Sequence, residues 1–161
     1  MAKNLPRVMI HLIGVVSDTH GLVRPEVLKA FEGVKLIIHA GDIGKPENLE
    51  SLRTVAPVVA VRGNVDKGKW AGGLPEKEVV EVEDVSLYVL HDLSELDLDP
   101  AAAGFGAVIS GHAHWPSIGE RSGVLYLNPG SAGPRRFTFP VSVVLLHIRG
   151  ASLDAQLVEL E

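Results

Sequence analysis

Short polar segments that could bind metal ions recur along this sequence, and each contains an aspartate, an asparagine or a histidine. They are Asp18-Thr-His20, Gly41-Asp42, Gly63-Asn64-Val-Asp66, His91 and Gly111-His112-Ala-His114. Carboxylate oxygens, an amide oxygen and imidazole nitrogens form a mixed donor set that suits Mn, Fe, Zn, Ni or Co. Taken singly, most of these segments are also ordinary turn or helix-cap sequences. The imidazoles of His112 and His114 are the most specific feature, because two such side chains can bind one metal or two adjacent ones.

Each segment directly follows a run of apolar, β-branched residues that predicts a β-strand. The predicted strands are Leu12–Val16, Val34–His39, Val58–Val61, Ser86–Leu90 and Ala107–Ile109. Two helices that begin at prolines, Pro25–Phe31 and Pro46–Arg53, separate the first three strands, which predicts a β-α-β-α-β unit with a parallel sheet. The carboxyl ends of parallel strands lie along one edge of a sheet, where α/β proteins bind ligands. We therefore expect the metal-binding side chains to converge in one cleft.

The second half of the chain is rich in predicted strands. Glu78–Val82 is predicted to pair with Ser86–Leu90, Val124–Leu127 is a further strand, and Val141–Ile148 faces Ala151–Leu160 across a turn. Three segments are predicted as loops that carry substrate specificity: Lys67–Gly73, Leu93–Gly104 and Trp115–Gly119. No linker divides the chain, so residues 1–161 are expected to form a single α/β domain with two packed sheets.

Composition and charge restrict the classes of protein to which the chain can belong. With 161 residues, 46% of them hydrophobic and 22% charged, it has the composition of a globular protein of one domain's length. It contains no Cys, which excludes a disulfide scaffold, a thiolate zinc site and a cysteine nucleophile. Its 15 Lys and Arg against 20 Asp and Glu give a net charge of −5, which argues against an extended nucleic-acid interface. No run of ~20 apolar residues is present, so we expect a cytoplasmic protein with no membrane interaction.

The order of the polar segments resembles that of the calcineurin-like metallophosphoesterases, and within that family the small single-domain phosphodiesterases of the YfcE type. The resemblance runs through Val15-Val-Ser-Asp-Thr-His-Gly21, His39-Ala-Gly-Asp42, Gly63-Asn64-Val-Asp66, Gly111-His-Ala-His114 and Asn128-Pro-Gly-Ser131. It implies a four-layer αββα sandwich, in which helices flank two mixed β-sheets and the metals lie at the shared edge of the sheets. It also implies a metal-dependent phosphoric ester hydrolase, and more narrowly a phosphodiesterase.

The resemblance further implies a dinuclear centre of divalent ions, with manganese favoured and nickel, zinc, iron or cobalt also compatible. One ion would be held by Asp18, His20, Asp42 and His114, and the other by Asp42, Asn64, His91 and His112, so that Asp42 bridges them. Two carboxylates and a bridging hydroxide against two divalent ions leave a charge of about +1, which attracts a phosphodiester anion. The hydroxide would attack phosphorus, and Asp42, Asn64 and His112 are the residues assigned to catalysis.

Two positions depart from the family pattern. Larger members carry a histidine after the Gly-Asn pair that assists the leaving group, and here that position is Val65, which leaves the general acid unassigned. His91 is usually followed by glycine but is followed here by Asp92. Asp92 is interpreted either as a turn residue or as a partner that orients a ligand imidazole.

Several further residues have both a functional and a structural interpretation. Asn64 and Arg135 are the candidate substrate-binding residues, although for Arg135, next to Arg136, solvated loop charges are the usual case. His39 either supports the metal ligands or is a hydrogen-bonded residue at a strand end. Asn128 and Ser131 either line the site or form a turn. The tryptophans of predicted loops are candidates for a pocket rim or a subunit contact.

The alternative function is a protein-interaction scaffold on the same fold, as in the small retromer subunit, with vestigial metal binding. The completeness of the metal ligands discriminates between the two, because a scaffold is expected to lose part of the set. All seven proposed ligands are present, which favours the enzyme. The expected partner is a small phosphodiester. Homo-oligomerisation is left open.

Overall fold

The computed structural model describes residues 10–160, within which the chain forms two five-stranded mixed β-sheets. The strands are β1 (Ile10–Val16), β2 (Leu36–His39), β3 (Val58–Ala60), β4 (Lys77–Val82), β5 (Val85–Leu90), β6 (Ala107–Ile109), β7 (Ser117–Arg121), β8 (Val124–Asn128), β9 (Val141–Arg149) and β10 (Ser152–Leu160). The helices are α1 (Pro25–Ala30), α2 (Pro46–Arg53) and the single turn α3 (Pro100–Ala103). Residues 1–9 and 161 of the predicted domain lie outside the described residues.

Each sheet contains a parallel part that ends at the same side of the molecule. The first sheet has the order β10-β9-β1-β2-β3, and β1, β2 and β3 are parallel. The second sheet has the order β4-β5-β6-β8-β7, and β5, β6 and β8 are parallel. Antiparallel strands complete both sheets, with β9 pairing with β1 in the first and β4 and β7 forming the edges of the second.

The main hydrophobic core lies between the two sheets. Side chains alternate along β1, so that Ile13 and Val15 face the core between the sheets while Val16 faces the helices. On β9, Val144 and Leu146 face the same core, where they meet residues of β5 and β6 such as Ile109. All of these side chains are fully buried, so the packing of the two sheets fixes the strand ends that follow them.

The outer layers are unequal. On the first sheet, α1 and α2 bury Val27, Phe31 and Leu52 against the strands. On the second sheet, the covering layer is mostly irregular chain in which Leu93 and Phe105 pack on Tyr88. The four-layer sandwich predicted from the family resemblance is confirmed, and helices contribute little to its second outer layer.

Most predicted elements occur within two residues of their expected bounds, and the predicted loops are the exception. The segment Trp115–Gly119 was expected to be a loop, but Ser117–Arg121 is the edge strand β7. All five residues of β7 are exposed, so the apolar alternation that marks a half-buried strand is missing from the sequence. Its strand conformation comes from pairing with β8, which is a tertiary contact. Short single-turn helices also occur in the other two predicted loops, at Lys69–Ala71 and at Leu93–Glu95 and Pro100–Ala103.

None of the helices between residues 10 and 160 has both the length and the apolar character that crossing a bilayer demands.

Candidate metal centre

The seven predicted ligands lie at the edge that the two sheets share. The first sheet supplies Asp18 and His20 after β1, Asp42 after β2 and Asn64 after β3, and the second supplies His91 after β5 and His112 and His114 after β6. Six of them form two groups, Asp18 with His20 and His114, and Asp42 with His91 and His112, whose ligand atoms lie within 4.8 Å of one another in each group. Residues that are up to 96 positions apart in sequence are therefore neighbours, as the parallel strand ends predict.

Asp42 lies where the two groups meet. Its Oδ2 is 3.2 Å from His91 Nε2 and 3.6 Å from His20 Nε2. His20 Nε2 is also 3.6 Å from Asp18 Oδ1, and His114 Nε2 is 3.4 Å from the same oxygen. This central position is the one that a carboxylate shared between two cations requires.

Asn64 brings its amide to the second group. One amide atom lies 3.1 Å from His91 Nε2 and 3.3 Å from each carboxylate oxygen of Asp42. With the amide nitrogen in this position, Asn64 donates hydrogen bonds to these acceptors. With the amide oxygen there, Asn64, Asp42 and His91 present only lone pairs to one another, which a cation between them would stabilise.

Buried atoms without partners provide a test of whether these residues fit a metal. Among residues 10–160, Asp18 Oδ1 and His20 Nε2 are buried and make no hydrogen bond. The other oxygen of Asp18 accepts hydrogen bonds from Ser17 Oγ at 2.6 Å and from the His112 N–H at 3.1 Å. Leaving a buried carboxylate oxygen unsatisfied is costly, and a divalent cation would satisfy both free atoms. The residues present therefore fit a metal with oxygen and nitrogen ligands.

Neighbouring backbone groups orient the ligands. His91 Nδ1 donates to the carbonyl of Ala40 at 2.7 Å, which turns Nε2 toward Asp42. The Val65 N–H donates to Asp42 Oδ1 at 3.1 Å and leaves Oδ2 facing the histidines. Asp42 and His91 thus each have one atom held by the protein and one atom facing the site, which is the usual arrangement around bound metals, whereas His114 Nδ1 is buried without a partner among the described residues.

These contacts also shift the pKa values of the ligands. Burial acts to raise the pKa of Asp42, but hydrogen bonds with His91 and the Val65 N–H outweigh it and lower that pKa to about 2. Burial likewise opposes the lowering of the Asp18 pKa by the nearby His20 ring and by the hydrogen bond from Ser17. Both carboxylates are therefore ionised at neutral pH and ready to bind a cation. The pKa of His114 is lowered, first by burial, and the positive charge of Arg136 contributes.

Five of the seven ligand residues have a left-handed backbone. The φ angles are 55° at Asp18, 47° at His20, 57° at Asp42, 71° at His112 and 64° at His114. Residues other than glycine rarely adopt this conformation, and such strain is concentrated at functional sites because the surrounding structure must impose it. Here the strained loops turn the side chains back toward the shared edge of the sheets.

Asp66 is a supporting residue whose role sequence reasoning did not identify. Its buried carboxylate accepts hydrogen bonds from the N–H groups of Gly63 at 2.9 Å, Ile43 at 3.2 Å and Gly44 at 3.0 Å. It therefore joins the loop that carries Asn64 to the loop that carries Asp42. The available signal was its position three residues after Gly63, a spacing at which aspartate often accepts from the backbone.

Among the described residues, the His39 side chain makes no hydrogen bond to a candidate ligand side chain and instead holds the first two ligand loops together. Its Nδ1 accepts from the Gly41 N–H at 3.1 Å, so Nε2 carries the proton and donates to Thr19 Oγ1 at 3.0 Å. Complete burial lowers the pKa of His39 to about 4, so the ring is neutral. Asn48 of α2 completes this network by donating to Thr19 Oγ1 at 3.2 Å, and sequence reasoning missed this residue.

Asn128 and Ser131 also support the site through the backbone. Asn128 donates to the Gly111 carbonyl at 2.9 Å and accepts from the Gly130 N–H at 2.9 Å. Ser131 Oγ donates to the carbonyl of Asp18 at 3.0 Å. These bonds hold the loops that carry Asp18 and the His112 pair.

The structure supports the interpretation of Asp92 as a turn residue. Its Oδ1 accepts from the N–H and the hydroxyl of Ser94, at 3.0 and 2.8 Å, and so begins the short helix Leu93–Glu95. Its Oδ2 lies 3.9 Å from His112 Nε2, which is too far for the hydrogen bond that would orient this ring.

The arginine pair and the tryptophans lie around the ligand cluster rather than in it. Arg135 is exposed and lines a cavity with Trp115 and Glu159 that includes none of the seven ligands. Trp115 is 53% exposed and packs edge-on against Phe139, whereas Trp70 packs against the cluster around Ile43.

Comparison with known proteins gives a family and a set of relatives. The family model described as the calcineurin-like phosphoesterase superfamily domain matches residues 12–151. A probable metallophosphoesterase of Methanothermobacter thermautotrophicus is 40% identical over 159 residues, which cover 91% of each chain.

Two solved structures share the fold. Vps29 of Chaetomium thermophilum has a TM-score of 0.81 at 20% identity, over 94% of this chain and 88% of that one. A structure described as a novel archaeal phosphodiesterase has a TM-score of 0.76 at 23% identity, over 91% of this chain and 99% of that one. The descriptions of these two neighbours differ, since one is called a phosphodiesterase and the other is called Vps29.

Proposed function

The chain belongs to the calcineurin-like phosphoesterase superfamily, and we propose that it is a metal-dependent phosphodiesterase that uses two divalent cations. The observation that carries the proposal is the presence of all seven candidate ligand residues at one edge of the sheets, with Asp42 between the two groups and buried atoms of Asp18 and His20 free of hydrogen bonds among the described residues. Manganese is the expected cation, and nickel, zinc, iron or cobalt would fit the same donors.

Asp18, His20, Asp42 and His114 would hold one cation, and Asp42, Asn64, His91 and His112 the other. Such ions supply Lewis-acid activation of the attacking water and neutralise charge on the phosphate oxygens. The protein itself contributes two ionised carboxylates, so without cations the cleft repels a phosphate anion. Substrate binding is therefore expected to depend on the cations.

The exposure of the ligands indicates the side from which substrate approaches. Asp18, Asp42 and His91 are buried, whereas the His112 side chain is 48% exposed. His112 and Asn64 are the exposed residues among the proposed ligands, so they are the ones that a substrate would meet first, in agreement with their assignment to catalysis with Asp42. Val65, which follows Asn64, is 43% exposed and can donate no proton from its side chain. This favours esters whose leaving groups are stable as anions.

The expected substrate is a small phosphodiester, because the described surface offers a compact cleft and the chain carries a net charge of −5. The name of one structural neighbour, an archaeal phosphodiesterase, agrees with this class. We also propose that the protein is cytoplasmic and that it acts without an extended nucleic-acid interface and without a membrane.

The test is hydrolysis of bis(p-nitrophenyl) phosphate by protein stripped with a chelator and then loaded with Mn²⁺. We expect activity to disappear on chelation and to return with Mn²⁺. Full activity in a preparation that elemental analysis proves free of metal would refute the proposal.

A second candidate function is a protein-interaction scaffold, which the exposed aromatic side chains near the site favour. Phe137 is 87% exposed and Trp115, which follows the ligand His114, is 53% exposed. Apolar side chains of this size on the surface often mark a binding surface. Metal binding without turnover of any diester or monoester, under each of the compatible metals, would favour the scaffold.

A further inference from the structure

Two cavities open beside the metal centre and meet at the same pair of side chains. The first, of about 180 Å³, extends from Asn64 and His91 to the ion pair of Arg62 with Glu76, and we call it the charged cleft. The second, of about 360 Å³, extends from His112 along β7 on the outer face of the second sheet, and we call it the β7 cleft. Asp92 and His112 line both cavities. A molecule bound at the ligand cluster can therefore extend in two directions.

The floor of the β7 cleft is flat because a glycine lies opposite an aromatic ring. In the antiparallel pairing of β7 with β8, Gly119 is the partner of Tyr126, so both lie on the same face of the sheet. A Cβ atom built on Gly119 meets no non-adjacent atom of the described chain within 4 Å. The Arg121 guanidinium lies over the Tyr126 ring, 4.9 Å from its centroid. The missing side chain at Gly119 leaves room for a flat group beside this stacked pair.

The charges of the β7 cleft indicate what kind of group fits. Asp92 lines it together with a single cation, Arg121, whose guanidinium rests on Tyr126, whereas the side chain of Glu120 lies on the opposite face of β7 from Gly119. The charges of Asp92 and Arg121 offset each other, so a second anionic group would meet no net positive charge there. Leu93 and the Tyr126 ring offer apolar surface, and Ser110 adds a hydroxyl. This lining suits an uncharged planar ring.

We propose that the β7 cleft binds a planar aromatic ring, aryl or nucleobase, carried on one ester oxygen of the substrate, whose phosphate lies at the ligand cluster beside His112. The inference rests on the proposed function and refines its substrate class. A phosphodiester carries two ester groups, and the charged cleft gives the other group a separate path. A monoester would occupy only one of the two cavities.

The experiment measures binding rather than turnover. Isothermal titration calorimetry on the Mn²⁺-loaded full chain compares phenyl phosphate and adenosine 5′-monophosphate with methyl phosphate, which has the same charge and no ring. We expect at least one aromatic monoester to bind about tenfold more tightly than methyl phosphate, the order of effect expected from burying roughly 60 Å² of ring. Whichever of the two binds more tightly identifies the kind of ring.

Gly119→Leu places a side chain in the cleft and changes none of the seven candidate ligands, and it is expected to bring the aromatic and methyl affinities within about twofold of each other. Gly73→Leu is the matched control, because a Cβ at Gly73 also meets no non-adjacent atom of the described chain within 4 Å, and Gly73 lines neither cavity. It should keep the wild-type preference. Methyl phosphate affinity should be the same in all three proteins, which reports an intact metal centre.

The outcomes separate this inference from the proposed function. Equal affinities for aromatic and methyl esters in the wild type, no measurable binding of any monoester, or a preference that survives Gly119→Leu would each overturn the inference, even if diesters are hydrolysed. A ring preference that Gly119→Leu removes supports it, and does so even if no diester is turned over, in which case the proposed function alone fails.

Discussion

Asp18 and His91 divide their polar atoms between the protein and the candidate metal centre. Asp18 gives one oxygen to Ser17 and the His112 N–H and leaves the other without a partner among the described residues. His91 donates through Nδ1 to a backbone carbonyl and turns Nε2 inward. Since the inward atoms are fixed by bonds on their far side, their positions do not depend on a cation to define them.

The central position of Asp42 predicts that its loss affects both metal sites. Asp42→Asn should reduce the metal content from two ions and weaken both sites by more than the roughly 10–100-fold that removal of an outer partner costs. Asn64→Ala should weaken chiefly the second site. Elemental analysis and calorimetric titration with Mn²⁺ measure the two effects.

Asp154→Asn, at an exposed position on β10, is the control for the loss of one negative charge and should bind metal normally. Two full-affinity ions in Asp42→Asn would show that this residue does not bridge the sites.

Val65 predicts a dependence on the leaving group. With no donor at this side chain, bis(p-nitrophenyl) phosphate should react much faster than an alkyl diester and faster than p-nitrophenyl phosphate, as kcat/KM values will show. General acid assistance typically contributes 10²–10⁴-fold, so Val65→His should raise the alkyl rate selectively where the ring reaches the leaving oxygen. A wild-type preference for the monoester would contradict the substrate class.

At the scale of elements, the loops after the strands carry the strain and the close contacts that define the site. The loop after β3 approaches the loop after β2 so closely that a Cβ on Gly63 would contact the backbone nitrogen and the carboxylate of Asp42. Asp66 joins the same two loops through three N–H groups. The close contact between these two loops therefore sets the geometry of the second candidate metal site.

This contact predicts that Gly63→Ala separates the two loops. The added methyl group should destabilise the chain by about 1–3 kcal/mol, as overpacking commonly does, and should weaken metal binding. Chemical denaturation and Mn²⁺ titration measure the two effects. Gly73→Ala, where a Cβ meets open space, is the matched control. Equal stability and equal metal affinity for the two variants would show that the loops tolerate the methyl group.

At the scale of the whole molecule, the two sheets bring together residues from both halves of the chain. In the first sheet, the buried hydrogen-bond network of His39, Thr19 and Asn48 joins the loops that carry Asp18 and Asp42. The pKa of His39 is lowered from 6.5 to about 4 by burial, so the unfolded chain takes up this proton before the folded one as pH falls. Its contribution to the free energy of unfolding is present above pH 6.5 and is lost as pH falls toward 4.

Between pH 7 and pH 5 this linkage should remove about 2 kcal/mol of stability from the wild type. His39→Gln should lack this part of the pH dependence, and urea denaturation at the two pH values measures the difference. NMR titration of the His39 ring in the folded protein is an independent measurement, with a pKa near 4 expected. A ring that titrates near 6.5 would contradict the account.

The sequence by itself determined the candidate ligands and most of the architecture. The strand and helix bounds follow from apolar runs and helix-initiating prolines, and the candidate ligands from polar residues placed directly after strands. These are local signals, and they persist because buried strands must be apolar and ligands must be polar wherever the chain folds. The family was therefore recognisable from the order of five short segments.

Only the tertiary structure decided which residues support the ligands and where a substrate can extend. Strand β7 has no apolar alternation, so its existence depends on pairing with β8, and the β7 cleft exists only because that pairing sets Gly119 beside Tyr126. The roles of Asp66 and Asn48 depend on hydrogen bonds between segments that are distant in sequence. Such contacts leave little local trace, because a polar residue that bonds another segment reads the same in sequence as one that faces water.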